Sequence, residues 1–263
     1  MFKREMRINL KSFIIWTSIL IILFLIVFLI YPSIINNENI KLIDEMMQLF
    51  PKEMLKSFNM DISSIDSAFG WVKTEGFIFI LLITGIYSGI LGSSILSKEE
   101  NDKTVEYLSS LPIKRSSIVI NKMLVGIIYI FLMIIILGIF NYIGLSLSGN
   151  FDKKLYLILS ITPLLSSIVI FNLCLYLSTY SHKTNKTLVL SLGLVFISYF
   201  LQILSELSNE TEVLKYFSIF TLTDIRNIII TGTINPIMII ISLIISVGLG
   251  VATVIHYNNK ELI

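Results

Sequence analysis

Six long windows of this chain contain no Asp, Glu, Lys or Arg: residues 12–37, 76–97, 123–151, 155–181, 187–205 and 227–259. Each can supply the roughly 20 apolar residues that a helix needs to cross the hydrocarbon core of a bilayer. Inside that core every backbone polar group must be satisfied within the segment, which a helix achieves and an open strand does not. The fifth window is the shortest, and Leu207 can extend it past Glu206. The expected fold is therefore an all-α polytopic membrane protein with six transmembrane helices, read as a single transmembrane domain over residues 1–263. At 263 residues the length alone would suit a soluble domain, but 55% hydrophobic and 14% charged residues overrule that. The mean hydropathy of +0.85 agrees.

The first window follows the basic stretch MFKREMRINLK. A basic flank before an apolar run also describes a secretory signal, but this run is too long and no small-x-small cleavage site follows Tyr31, so the helix is expected to stay. Phe2, Met6 and Leu10 alternate with Lys3, Arg4, Arg7 and Lys11 in a way that fits a short amphipathic helix over residues 1–11 on the membrane surface. A plain basic flank is the competing reading.

Basic residues set the orientation. With the N-terminus inside, the cytoplasmic segments carry a net charge of +6 and the outer segments −4, which together make the formal +2 of the chain. Six spans then place both termini in the cytoplasm of a bacterial cell, the chain being multi-pass in its cytoplasmic membrane.

Several chemistries are not written here. No G-x-x-x-x-G-K-[ST] occurs, so the chain has no P-loop with which to bind ATP. Its two histidines, His182 and His256, sit at membrane edges without Cys or carboxylate partners at ligand spacing. The single cysteine, Cys174, lies in an apolar run and can form no intrachain disulfide. No window carries a carboxylate at mid-depth, as an ion-coupled pump would be expected to do; the polar groups there are Asn141, Asn172 and Gln202. A charge of +2 without a basic, aromatic-interleaved patch gives no reason to expect a nucleic-acid partner. No catalytic residue, metal site or cofactor is expected in this chain.

Two outer segments have a character of their own. Within residues 33–70, Ile43, Met46, Met47, Phe50, Met54, Leu55 and Phe58 mark an apolar face and Asp44, Glu45, Gln48, Lys52, Glu53 and Lys56 a polar one. Two short amphipathic helices fit that pattern. They would form either a lid on the spans or, through Met46, Met47, Phe50 and Met54, a soft surface for an amphipathic cargo. Residues 208–235 form an outer or re-entrant segment, with Val213, Tyr216, Phe217 and Phe220 at i, i+3, i+4, i+7.

The densest charged stretch, Ser97 to Lys122, lies between the second and third windows. Ser97 and Glu100 stand in the S-x-x-E relation of a capping box. Glu99 and Lys103 form an i,i+4 pair in the favourable order. Thr104, Tyr107, Leu108 and Leu111 fall on one stripe of a helix that Pro112 closes. A helix with that stripe is either a solvated loop or an element that docks into another protein.

The run Thr104, Glu106, Leu108, Ser109, Ser110, Pro112, followed by Arg115 and Lys122, resembles the first cytoplasmic loop of ABC-2 type transporter permeases. Lys103 stands where that family commonly has glycine. The resemblance implies an elbow helix over residues 1–11 and a coupling-helix loop over 97–116. It implies that this loop sits in a cleft of a separate ATP-binding subunit, through Glu99, Glu100, Thr104, Glu106, Tyr107, Leu108, Leu111, Pro112 and Arg115. The short basic loop SHKTNK, with His182 and Lys183, is the place for a second, smaller cytoplasmic contact. The implied assembly has two copies of the chain, a homodimer, and two ATP-binding subunits that hold ATP and Mg. Residues 208–235 are loosely similar to the two half-helices that re-enter the membrane before span six in that family.

The implied activity is ATP-driven export of a hydrophobic or amphipathic substrate. The compact six-span form is similar to the permeases that export phenol-soluble modulins, short amphipathic peptide toxins. The alternatives are a membrane scaffold or sensor that tethers a cytoplasmic ATPase without transporting, and a transporter run by an ion gradient.

Overall fold

A computed structural model describes residues 1–34, 45, 49, 67–101, 114–181, 184–208 and 210–260. Six of its helical stretches are long and apolar enough to cross a membrane. Helix α1 spans Phe2–Ile34. Helix α2 covers residues 68–101, built from Ala68–Trp71, a π-helical stretch Val72–Gly76, and Phe77–Asn101. Helix α3 is Arg115–Ser148. The fourth span is divided into α4, Lys153–Ile161, and α5, Pro163–Ser178. Helix α6 is Thr184–Leu207, α7 is the short Ile225–Thr231, and α8 is Pro236–Asn259. The expected six spans are all present, and no described residue is in a strand.

The helix ends follow from local chemistry. Ser67 caps α2 by accepting from the Gly70 N–H at 2.9 Å. Asp152 caps α4 by accepting from Leu155 N–H at 3.0 Å, which closes the short turn after Ser148 and makes α3 and α4 a hairpin. Pro163 brings no N–H to the ladder of the fourth span, so the helix is interrupted there. The Thr162 hydroxyl donates to Ile158 O at 2.6 Å beside the interruption. Gly232, at φ 67°, ends α7 in the left-handed conformation and donates to Ile228 O at 2.8 Å.

Helix α2 is the axis of the bundle. In its most apolar window 61% of residues are buried, against 22% in α1, α6 and α8. It packs chiefly against α5 and α6, while α1 lies on α3 and α8 on α5 and α3. The small residues of α2 explain its position. Gly92 leaves α5 so close that a Cβ there would meet Phe171 O at 2.4 Å. Gly89 faces Val195 of α6, and Gly85 faces Phe220. The Gly85-x-x-x-Gly89 pattern thus serves contacts within one copy. The remaining apolar surface of α1, α6 and α8 faces outward, as a bilayer-embedded chain requires.

The stretch from residue 1 to 11 is helical, as expected, but it is not a separate element. Helix α1 runs unbroken from Phe2 to Ile34, with neither proline nor glycine before Pro32 to divide it. Phe2 and Leu10 remain exposed on one face, while Glu5, Asn9, Phe13, Thr17, Leu20 and Phe24 form a buried stripe at four- and three-residue spacing.

The segment after α6 differs from the helical stripe read in the sequence. Two 3-10 turns, Glu212–Phe217 and Ile219–Thr223, replace an α-helix. With three residues per turn, the i, i+3, i+4, i+7 stripe no longer shares one face. Val213, Tyr216 and Phe217 are exposed at 62%, 76% and 72%, while Phe220 is buried beneath Gly85. Ser198 Oγ accepts from Ile219 N–H at 2.7 Å and Ser218 donates to Ser198 O at 2.8 Å, pinning the segment back onto α6. The face formed by Met46, Met47, Phe50 and Met54 lies outside the described residues.

Candidate functional site at the loop-bearing end

The end of α2 at Asn101, the start of α3 at Arg115, residues 1–11 and 179–181 and the end of α8 lie at one end of the bundle. The sequence directs attention there because its densest charge lies there. Around the two feet of the 102–113 segment the structure assembles a buried ionic cluster.

Lys122 projects from α3, seven residues after that helix begins, and is 1% exposed. Its Nζ donates to Glu99 Oε1 at 2.6 Å and Oε2 at 2.7 Å, and also to Ile95 O. Glu5 of α1 completes the group, with its Oε2 3.5 Å from the same Nζ. Glu5 is 1% exposed, and its Oε1 has no hydrogen-bond partner among the described residues. A lysine taken out of water needs such partners, because the desolvation of one unpaired charge costs several kcal/mol. Each of α1, α2 and α3 supplies one member.

Neighbouring bonds bind the rest of this end together. Thr184 and Thr187, at the start of α6, donate to Ser97 O at 3.2 Å and Ser93 O at 3.3 Å of α2. Arg115, at the start of α3, donates to the carbonyls of Asn258 at 3.3 Å and Lys260 at 2.8 Å at the end of α8. Those carbonyls carry the negative end of the α8 dipole, where a guanidinium is well placed. Lys260 in turn donates to Ser181 O at 3.2 Å. The Tyr129 hydroxyl of α3 donates to Met6 O of α1, and the Phe13 and Tyr129 rings lie 4.8 Å apart.

Of the residues read as a partner interface, the structure places Glu99 and Arg115 at the two feet of the segment. Glu100 belongs to the last turn of α2. Thr104, Glu106, Tyr107, Leu108, Leu111 and Pro112 lie outside the described residues, as do His182 and Lys183. One local expectation is corrected. Ser97 is not the cap of a new helix: α2 continues through Asn101, and the Ser97 hydroxyl donates back to Ser93 O at 2.7 Å. A hydroxyl spent inside a helix in this way is unavailable to cap one. The Glu99 carboxylate, read with Lys103, is held by Lys122, and Lys103 lies outside the described residues.

Sequence reasoning missed the partnership of Glu5 and Lys122. Glu5 was visible only as one acidic residue in a basic flank. The signal that could have found it is the stripe Glu5, Asn9, Phe13, Thr17, in which the carboxylate shares the spacing of the buried residues.

At the opposite end, Ile78 and Leu81 of α2, Tyr199 and Glu206 of α6, Phe220 and Arg226 line a small, mainly apolar cleft of about 50 Å3. Gln202 donates to Glu206 at 2.9 Å and accepts from Thr221 at 2.8 Å beside it. Among the described residues no group of three His, Cys, Asp or Glu side chains could hold a metal ion.

No curated protein and no solved structure matches the chain. A family model described as ABC-2 family transporter protein matches residues 2–262, nearly the whole sequence. The end-to-end match, six membrane-length helices and a charged segment between the second and third spans agree. The chain belongs to the ABC-2 family of transporter proteins, as the non-catalytic transmembrane permease component that works with ATPase subunits.

Proposed function

We propose that two copies of this chain pair with two ATP-binding subunits through the 97–116 loop and export an amphipathic substrate, most simply an amphipathic peptide. The carrying observation is the anchoring of both feet of that loop. Glu99 and Lys122 are locked together at 2.6 Å, and Arg115 is tied to α8. A segment fixed at both ends can transmit a push from a bound ATPase into α2 and α3, whereas a loosely held one would absorb it. Glu100, Thr104, Glu106, Tyr107, Leu108, Leu111 and Pro112 form the contact itself, and Glu99 and Arg115 hold its base. His182 and Lys183 make the second contact, beside the Thr184 that is bonded to α2. Both termini and this end of the bundle face the bacterial cytoplasm, which follows from the +6 against −4 charge division.

The substrate reading rests on chemistry at the other end. The small cleft there sets an apolar lining beside the charged groups of Glu206, Asp224 and Arg226, the mixture an amphipathic molecule would meet. Met46, Met47, Phe50 and Met54 would add an adaptable surface for the same substrate.

The docking face is tested by co-purification of the cognate ATP-binding subunit. Leu108→Asp places an unpaired charge in an apolar cleft and should release that subunit, whereas Ser109→Ala should retain it. Full retention by Leu108→Asp would remove the stripe as the docking face.

A further inference from the structure

We infer that Lys122 is a positioning residue that carries movement of the 102–113 segment into α1, through its bond to Glu5. This rests on the coupling role proposed for that segment. Geometry supplies the argument. The segment joins α2 to α3, so its displacement acts directly on those two helices. Helix α1 has no covalent connection to either foot and lies mainly along α3, with little contact with α2. At the loop-bearing end, the Lys122 ammonium meets Glu99 in the last turns of α2 and Glu5 of α1 at once.

The two arms are unequal. Glu99 takes Nζ with both oxygens at 2.6 and 2.7 Å, while Glu5 reaches it with one oxygen at 3.5 Å. The other Glu5 oxygen has no partner among the described residues although the side chain is 2% exposed. Lys122 and Glu99 therefore move as one body, and the Glu5 arm is the one able to shorten or lengthen. A buried ammonium between two buried carboxylates interacts strongly with both, because burial shields the charges from bulk solvent screening. Shortening the Glu5 arm would draw the first turns of α1 towards α2, and the unbroken helix would pass that tilt to its far end.

The test places an environment-sensitive thiol-reactive fluorophore at Leu29→Cys in α1 or at Leu147→Cys in α3, in a Cys174→Ala background. Both positions are exposed, at 70% and 84%. The complete complex with its ATP-binding subunit, in nanodiscs, is compared with and without ATP and vanadate. In the parent complex both reporters should respond. Glu5→Gln keeps the Lys122–Glu99 pair, and it should reduce the Leu29 response at least about fivefold, the lower end of ordinary coupling between sites. The Leu147 response should persist. Equal responses in Glu5→Gln overturn the inference, and so does loss of both, which would make the cluster only a structural support. A second variant, Glu5→Gln/Glu99→Gln/Lys122→Met, removes the charges of all three members and should also silence Leu29 selectively; an unchanged Leu29 response there overturns the inference as well. A parent complex in which the ATP-binding subunit is bound but neither reporter responds would overturn the coupling role itself, and the inference with it.

Discussion

Lys122 and Glu99, 23 residues apart in the sequence, meet at 2.6 Å across the base of the segment that joins α2 to α3. Their bond ties the end of α2 to the start of α3, beside the bonds that Arg115 makes to α8. The same ammonium reaches Glu5 at 3.5 Å, so one buried positive charge serves two carboxylates from two helices.

Removing that charge should be costly. Lys122→Met removes the ammonium that the buried Glu5 and Glu99 carboxylates share, and the expected loss of stability is about 3–5 kcal/mol. Thermal unfolding of the purified permease in detergent measures it. The triple neutral variant, with Gln at both glutamate positions, should recover most of that loss because the two carboxylate charges go with the ammonium. A Lys122→Met protein as stable as the parent would show that the cluster is hydrated or already neutral.

The orientation can be tested independently of any partner. The charge division predicts that a cysteine placed at Ser110 is shielded from membrane-impermeant thiol reagents in intact cells, while one at Asn59 is labelled. Labelling in the opposite pattern would turn the loop-bearing end outward and leave no role for a cytoplasmic ATPase at residues 97–116.

The six spans were legible because a bilayer imposes a one-dimensional rule, and windows such as 123–151 obey it without reference to any neighbour. Family resemblance was legible in the run from Thr104 to Pro112, where residue types at fixed spacing carry it. The ionic cluster was not, since pairing Glu5 with Lys122 requires knowing that α1 lies on α3. Periodicity reports which face of one helix is apolar and says nothing about which helix it meets. The stripe Val213, Tyr216, Phe217, Phe220 failed for a related reason. It presumed 3.6 residues per turn where the backbone takes 3-10 geometry, so Phe220 is buried while the other three are exposed.

A smaller polar contact inside the spans can also be weighed. Asn172 of α5 donates to Ser246 Oγ of α8 at 2.6 Å, and both are buried. Ser246→Ala should cost about 0.6 kcal/mol and no more than about 1.7, the measured range for such bonds between membrane helices. The readout is the unfolding midpoint in a mild denaturing detergent. A loss much larger than this would mean that Ser246 supports more than Asn172.

The closest approach of a glycine to another helix's backbone, among the described residues, gives the last prediction. A Cβ on Gly92 would stand 2.4 Å from Phe171 O and 3.1 Å from Leu175 N, both backbone atoms that no rotamer change can move aside. Gly92→Ala must therefore push α2 and α5 apart along their main contact, at a cost of about 1–3 kcal/mol by the usual scale for overpacking. Gly193 and Gly248 provide the comparison, since a Cβ at either meets nothing within 4 Å. In the single chain Gly193→Ala and Gly248→Ala should be neutral or slightly stabilising, because alanine loses less backbone entropy in a helix than glycine. Unfolding of the three variants in detergent, where any pairing of copies is disrupted, reads this difference directly. Should Gly92→Ala unfold no more readily than Gly193→Ala, the α2–α5 approach is looser than the backbone positions indicate. Repeating the comparison in nanodiscs adds a second reading. If Gly193→Ala or Gly248→Ala is neutral in detergent yet destabilises the assembled complex, that glycine lies where the second copy packs.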